Sequence, residues 1–158
     1  MPSLLRLLAL VALLAGATAL AACGGDDERE AKNAYVAEVN TAQEEFASRI
    51  TTVSQQITDK SSPAQDRRTL QRFETAIEAV VERLRAIDVP DDVETEHEQL
   101  VDAMTAFGAE IGKATDALRN PDTRSIAEAQ RAVSLATQTV NGEIDAAIAA
   151  INSKLRET

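Results

Sequence analysis

The chain has 158 residues, room for one ordinary domain, and its 26 Asp plus Glu against 16 Lys plus Arg leave a formal net charge of −10. An acidic surface repels phosphate backbones, which argues against nucleic-acid binding. A single cysteine excludes an intrachain disulfide, and with no Trp, 1 Tyr and 3 Phe the core has to be built from Leu, Ile, Val and Ala. Abundant Ala and straight-chain polar residues favour helices, and the β-branched alternation that announces strands is missing.

The chain opens with a short, weakly positive stretch, Met1 to Arg6, followed by an apolar run from Leu7 to Ala15 and small residues as far as Ala22. The apolar and small-residue segment falls short of the ~20 residues that a membrane-spanning helix needs, and its layout is that of a cleaved export signal. The junction Leu20-Ala21-Ala22-Cys23 resembles the lipobox of bacterial lipoprotein precursors: a branched apolar residue three positions before the cysteine, with small residues between.

That resemblance implies a sequence of steps. Diacylglycerol is transferred to the Cys23 thiol, signal peptidase II recognises Leu20, Ala21 and Ala22 and cuts before Cys23, and the new amino group is open to acylation. A thiol is needed for the thioether, and small side chains let a protease reach the backbone beside a lipidated residue. The expected division is a leader over 1–22, a lipidated cysteine with a flexible acidic tether over 23–30, and a folded domain over 31–158. The expected location is the extracytoplasmic face of the cell membrane. Arg6 is the one charged side chain before Cys23, so cleavage makes the mature chain more acidic by one charge.

The mature part carries four stretches of helical periodicity. In the first, Tyr35, Val39, Ala42, Phe46, Ile50, Val53 and Ile57 recur at steps of three and four, which predicts a helix over 28–57. Thr58-Asp59-Lys60-Ser61 breaks it. Ser62, Pro63 and Gln65 form a helix start with a capping box, and the stripe Leu70, Phe73, Ile77, Val80, Val81, Leu84 and Ile87 predicts a second helix over 63–87. Val89-Pro90 ends it.

Asp91 and Glu94 repeat the capping-box spacing, and Val93, Leu100, Met104, Phe107, Ile111, Ala114 and Leu118 predict a third helix over 92–119. After the turn signal Asn120-Pro121-Asp122-Thr123, a fourth helix over 125–156 aligns Ile126, Ala129, Val133, Ala136, Val140, Ile144, Ile148, Ile151 and Leu155. Short connections between long amphipathic helices predict an all-α, up-down-up-down antiparallel four-helix bundle. The seven-residue spacing of Val39, Phe46 and Val53, and of Ile126, Val133, Val140 and Ala147, suggests coiled-coil-like packing.

Catalytic and metal chemistry find little footing. Glu94-Thr95-Glu96-His97 has the Glu-x-x-His spacing of di-iron bundles, but such a site needs a second copy of the motif and this chain has one histidine. His97 instead reads as a half-buried histidine with a polar partner. The only thiol is assigned to lipid, and no glycine-rich elbow surrounds a serine. Met104, Phe46, Phe73 and Phe107 read as packing residues and not as a cofactor box, so neither metal nor cofactor is expected.

Bundle topology gathers Asp26, Asp27, Glu28, Glu30, Asp88, Asp91, Asp92, Glu94, Glu96 and Glu98 at the end next to the tether. The opposite tip gathers Lys60, Arg67, Arg68, Arg72, Lys113, Arg119 and Arg124, interleaved with Asp59, Asp66, Asp116 and Asp122. A mixed tip of this kind either neutralises itself or docks an anionic wall polymer or an acidic envelope protein. The expected function is a membrane-anchored, non-catalytic interaction or structural module of the cell envelope. The alternative is a binding protein that holds a small apolar or amphipathic ligand in an alanine-lined seam between helices.

Overall fold

A computed structural model of the protein describes residues 26–54, 62–119 and 122–157. They form α1 (Asp26–Ser54), α2 (Pro63–Arg85), a 3-10 turn over Asp91–Val93, α3 (Glu94–Ala117) and α4 (Thr123–Glu157). The described residues contain no strand, and the helices pack as an antiparallel four-helix bundle. The longest, α4, has 35 residues and therefore a length of about 50 Å at ~1.5 Å per residue.

Cross-helix ion pairs set the polarity. Lys32 of α1 meets Asp92 at 2.9 Å, Glu38 of α1 meets Arg83 of α2 at 3.4 Å, and Lys154 of α4 meets Glu96 of α3 at 3.9 Å. The start of α1, the α2–α3 connection and the end of α4 therefore share the near end of the bundle. The starts of α2 and α4 lie at the far end. Backbones approach most closely between sequence neighbours, α1 with α2, α2 with α3 and α3 with α4, while the α1–α4 seam is looser.

The helix starts separate what is local from what is not. Ser62 has extended backbone geometry, its hydroxyl accepts from the Gln65 N–H at 3.4 Å, and its own N–H donates to Gln65 Oε1 at 2.7 Å, with Pro63 in the first turn. This is the capping box read from the sequence. At α4 the same exchange joins Asp122 and Ser125: the Ser125 N–H donates to Asp122 Oδ1 at 2.6 Å and the Asp122 N–H to Ser125 Oγ at 2.8 Å. These bonds hold the Asp122 carboxyl below its ordinary range, the Ser125 N–H being the main cause.

The box expected at Asp91 and Glu94 does not form. Pro90 leads into a 3-10 turn closed by the Val93 N–H on the Pro90 carbonyl at 3.0 Å, and α3 begins only at Glu94 with no side-chain cap. The tighter turn drives Val93 into full burial, 0% exposed, and leaves Asp92 to pair with Lys32. The other boundaries move by small amounts. α2 stops at Arg85 and Ile87 is buried from the turn beyond it.

α1 is helical from Asp26, two residues before the helix expected over 28–57 and within the stretch 23–30 expected as tether. Acidic residues suit the positive end of a helix dipole, and exposed Glu and Arg propagate helix readily, so the first turns form without a core contact. Residues 55–57 of the first expected helix lie outside the described residues.

Nearly every stripe residue of α1, α2 and α3 is buried, Leu70 being half-buried. Each such Val, Leu, Ile or Phe contributes roughly 1.5–3 kcal/mol on full burial. Phe73 and Phe107 meet edge to face, with centroids 6.2 Å apart and planes at 81°. Gly108 lets α2 and α3 close up beside this pair, since a Cβ there would lie 3.2 Å from Ile77 Cγ2. α4 is covered less completely: Ala129, Val140, Ile151 and Leu155 are buried, but Ile126, Val133, Ala136, Ile144 and Ile148 only half.

Candidate functional site

Leu20, Ala21, Ala22 and Cys23, the residues that the sequence marks for processing and lipidation, lie outside the described residues. What the bundle itself builds is a buried polar chain at its near end. Tyr35 comes from the core stripe of α1, His97 from the first turn of α3 one turn beyond Val93, and the Leu84 carbonyl from the last turn of α2. Tyr35 is 2% exposed and His97 5%, so the histidine is fully buried where the sequence suggests half.

Geometry fixes the role of each atom. His97 Nε2 lies 3.1 Å from the Leu84 carbonyl, which can only accept, so Nε2 carries the proton. Nδ1 then accepts from the Tyr35 hydroxyl at 3.2 Å. The rings meet edge on, with centroids 5.7 Å apart and an angle of 67°. The Leu84 carbonyl is open to an outside donor because α2 ends one residue later, and it also accepts from the Ile87 N–H at 3.1 Å.

Burial pulls the imidazole below its ordinary value, against opposing contributions from the Leu84 carbonyl and Glu98. Burial likewise pushes the Tyr35 phenol up to about 12, with a smaller contribution from Glu96. Both groups are therefore neutral at pH 7. No buried side-chain nitrogen or oxygen among the described residues lacks a partner.

Lys32 forms a second bridge beside this chain. Its ammonium donates to Glu28 Oε1 at 2.8 Å and pairs with Asp92, and the two acids raise its pKa, Glu28 having the larger effect. Neither Tyr35 nor Lys32 stands out in the sequence as a partner for the α2–α3 corner. The only hint there is a lysine one turn before the tyrosine on the same helical face.

The Glu-x-x-His spacing does not converge. Glu94 is exposed, while both ring nitrogens of His97 are already engaged. Met104, Phe46, Phe73 and Phe107 are core residues. Between α1 and α2 a recess of about 10 Å³ is lined by Ala42, Phe46, Ala76 and Val80 with Glu45, Arg49 and Arg83 beside them. That is room for about one water molecule, and Glu45 is its one carboxylate.

The far end carries charges that pair along single helices: Lys113 with Glu110, Arg119 with Asp116 at 2.8 Å and Arg124 with Glu128 at 2.8 Å. Lys60 and Asp59 lie outside the described residues. No protein-family model, curated protein or solved structure matches the chain.

Proposed function

We propose that this chain is a lipid-anchored envelope lipoprotein whose helical bundle acts as a non-catalytic interaction or structural module on the extracytoplasmic face of the membrane. The observation that carries the reading is the complete Leu20-Ala21-Ala22-Cys23 junction after an apolar run too short to span a bilayer. None of the described helices is long and apolar enough to cross a membrane, so anchoring through Cys23 would supply the attachment. α1 is described from Asp26, three positions after Cys23 in the sequence.

The recess between α1 and α2 is far smaller than the roughly 300–1,000 Å³ that drug-sized ligands occupy, so that seam offers no such site. The wall-polymer or protein partner belongs to the same proposal, with the far end as its docking side.

Replacing Cys23 by Ser tests the anchor, since a hydroxyl cannot form the thioether. Each buried acyl methylene contributes ~0.8 kcal/mol and two or three chains hold a protein stably, so the variant is expected in the soluble fraction or as an uncut precursor. A Cys23→Ser chain that still pelleted with membranes at the mature mass would overturn the anchoring. Capture of partners from membranes with and without Cys23 then tests the module.

A further inference from the structure

We propose that the Tyr35–His97–Leu84 chain is a proton-operated latch, in which uptake of a proton by His97 under mildly acidic conditions loosens α1 from the α2–α3 corner at the near end. The geometry carries this. His97 is the only histidine of the chain, it is 5% exposed, and its ring joins three helices through two bonds with fixed roles. A proton on Nδ1 converts the acceptor of the Tyr35 hydroxyl into a donor. The hydroxyl then faces an N–H in place of its acceptor, and its own hydrogen loses that partner at a site where Tyr35 is 2% exposed.

The charged groups around the latch compensate a buried imidazolium only in part. From α3, Glu98 acts on the ring, and Glu96 acts on Tyr35 but is paired with Lys154 of α4. From α1, Lys32 holds Glu28 and Asp92, and Glu38 holds Arg83 of α2. The ring sits in the first turn of α3, where the helix dipole opposes a positive charge, and at the end of α2, where it favours one.

The sign follows from linkage. A histidine whose folded-state pKa lies below its unfolded value of 6.5 stabilises the fold fully above 6.5, and that stability is lost as pH falls toward the folded value. Over this window the unfolding constant rises by up to ~10-fold per pH unit, and below the folded pKa the dependence stops. Carboxylates ordinarily titrate below the window and lysines above it, which leaves His97 as the side chain that responds.

The experiment uses the whole chain in detergent micelles. Because there is one histidine, its ring signals in an NMR titration need no assignment. The expected result is an Nε2–H tautomer, a midpoint below 6.5, urea unfolding that becomes easier between pH 7 and pH 5, and amide exchange in the Tyr35 turn of α1 that accelerates before exchange at Ile111. A midpoint at or above 6.5, or urea midpoints unchanged across that range, would overturn the latch. His97→Gln, which keeps a donor and an acceptor but cannot titrate, should lose the pH dependence; equal dependence in that variant also overturns the proposal.

Should His97→Gln fail to fold, Tyr35→Phe gives an independent reading. Removing the hydroxyl withdraws a bond that favours the neutral ring, so the imidazole midpoint should move up. A midpoint that stays in place in a folded Tyr35→Phe chain would show that the hydroxyl does not govern the proton.

Discussion

The two ends of the bundle differ in charge and are held together differently. At the near end, ion pairs link different helices, Val93 is 0% exposed, and the Tyr35–His97–Leu84 chain joins three helices inside the core. At the far end, Lys113, Arg119 and Arg124 pair within their own helices, and the first half of α4 rests on a small cluster of Ala114, Leu118 and Ala129. Pairing within a helix stiffens that helix without fixing its neighbour, whereas pairing between helices also sets their register. The near end is thus cross-linked between helices, while the pairs of Lys113, Arg119 and Arg124 add no such link at the far end.

Core truncation breaks this comparison most sharply. Leu84, 2% exposed at the near end, should lose about 2–5 kcal/mol on replacement by Ala, as buried leucines do. Val133 is half-buried in the first half of α4, and Val133→Ala should cost no more than about 1 kcal/mol. Urea unfolding followed by circular dichroism decides it; similar midpoints for the two variants would mean that the ends are equally tight.

Charge removal sharpens the same contrast at a smaller scale. Lys32→Met should destabilise by about 0.5–1 kcal/mol because it releases Asp92 from α1, while Arg119→Gln should leave the unfolding midpoint unchanged. Adding salt to about 1 M should reduce the difference between these variants. The smallest expected effect has the opposite sign. Gly142 lies on the exposed side of α4, and a methyl group added there would meet only open space, so Gly142→Ala should stabilise by about 0.5–1 kcal/mol in a thermal melt.

What could be read in advance follows the same division between local and distant causes. The cap at Ser62 was legible because every atom of it lies within four residues, and the stripes of α1 to α3 were legible because burial follows helical spacing. Asp91 and Glu94 had the same spacing as a cap, but Pro90 and the burial of Val93 favoured a 3-10 turn. The α4 stripe showed which side faces inward and not how near the neighbouring helix comes. Tyr35 and His97 are 62 residues apart, and no local pattern pairs them. Asp26 and Asp27 extend α1 before the expected start at residue 28, because charge density signals solvent exposure, which an exposed helix shares with a tether.

The close approach of sequence neighbours, with the first and last helices more loosely joined, bears on how the chain reaches its fold. Each helical hairpin can form from a contiguous piece, so little loop entropy has to be surrendered before contacts reward it. Chains rich in such near-sequence contacts fold on microsecond to millisecond timescales. Assembly of this bundle can then proceed hairpin by hairpin as the polypeptide emerges, with the meeting of α1 and α4 as the last event rather than the nucleus.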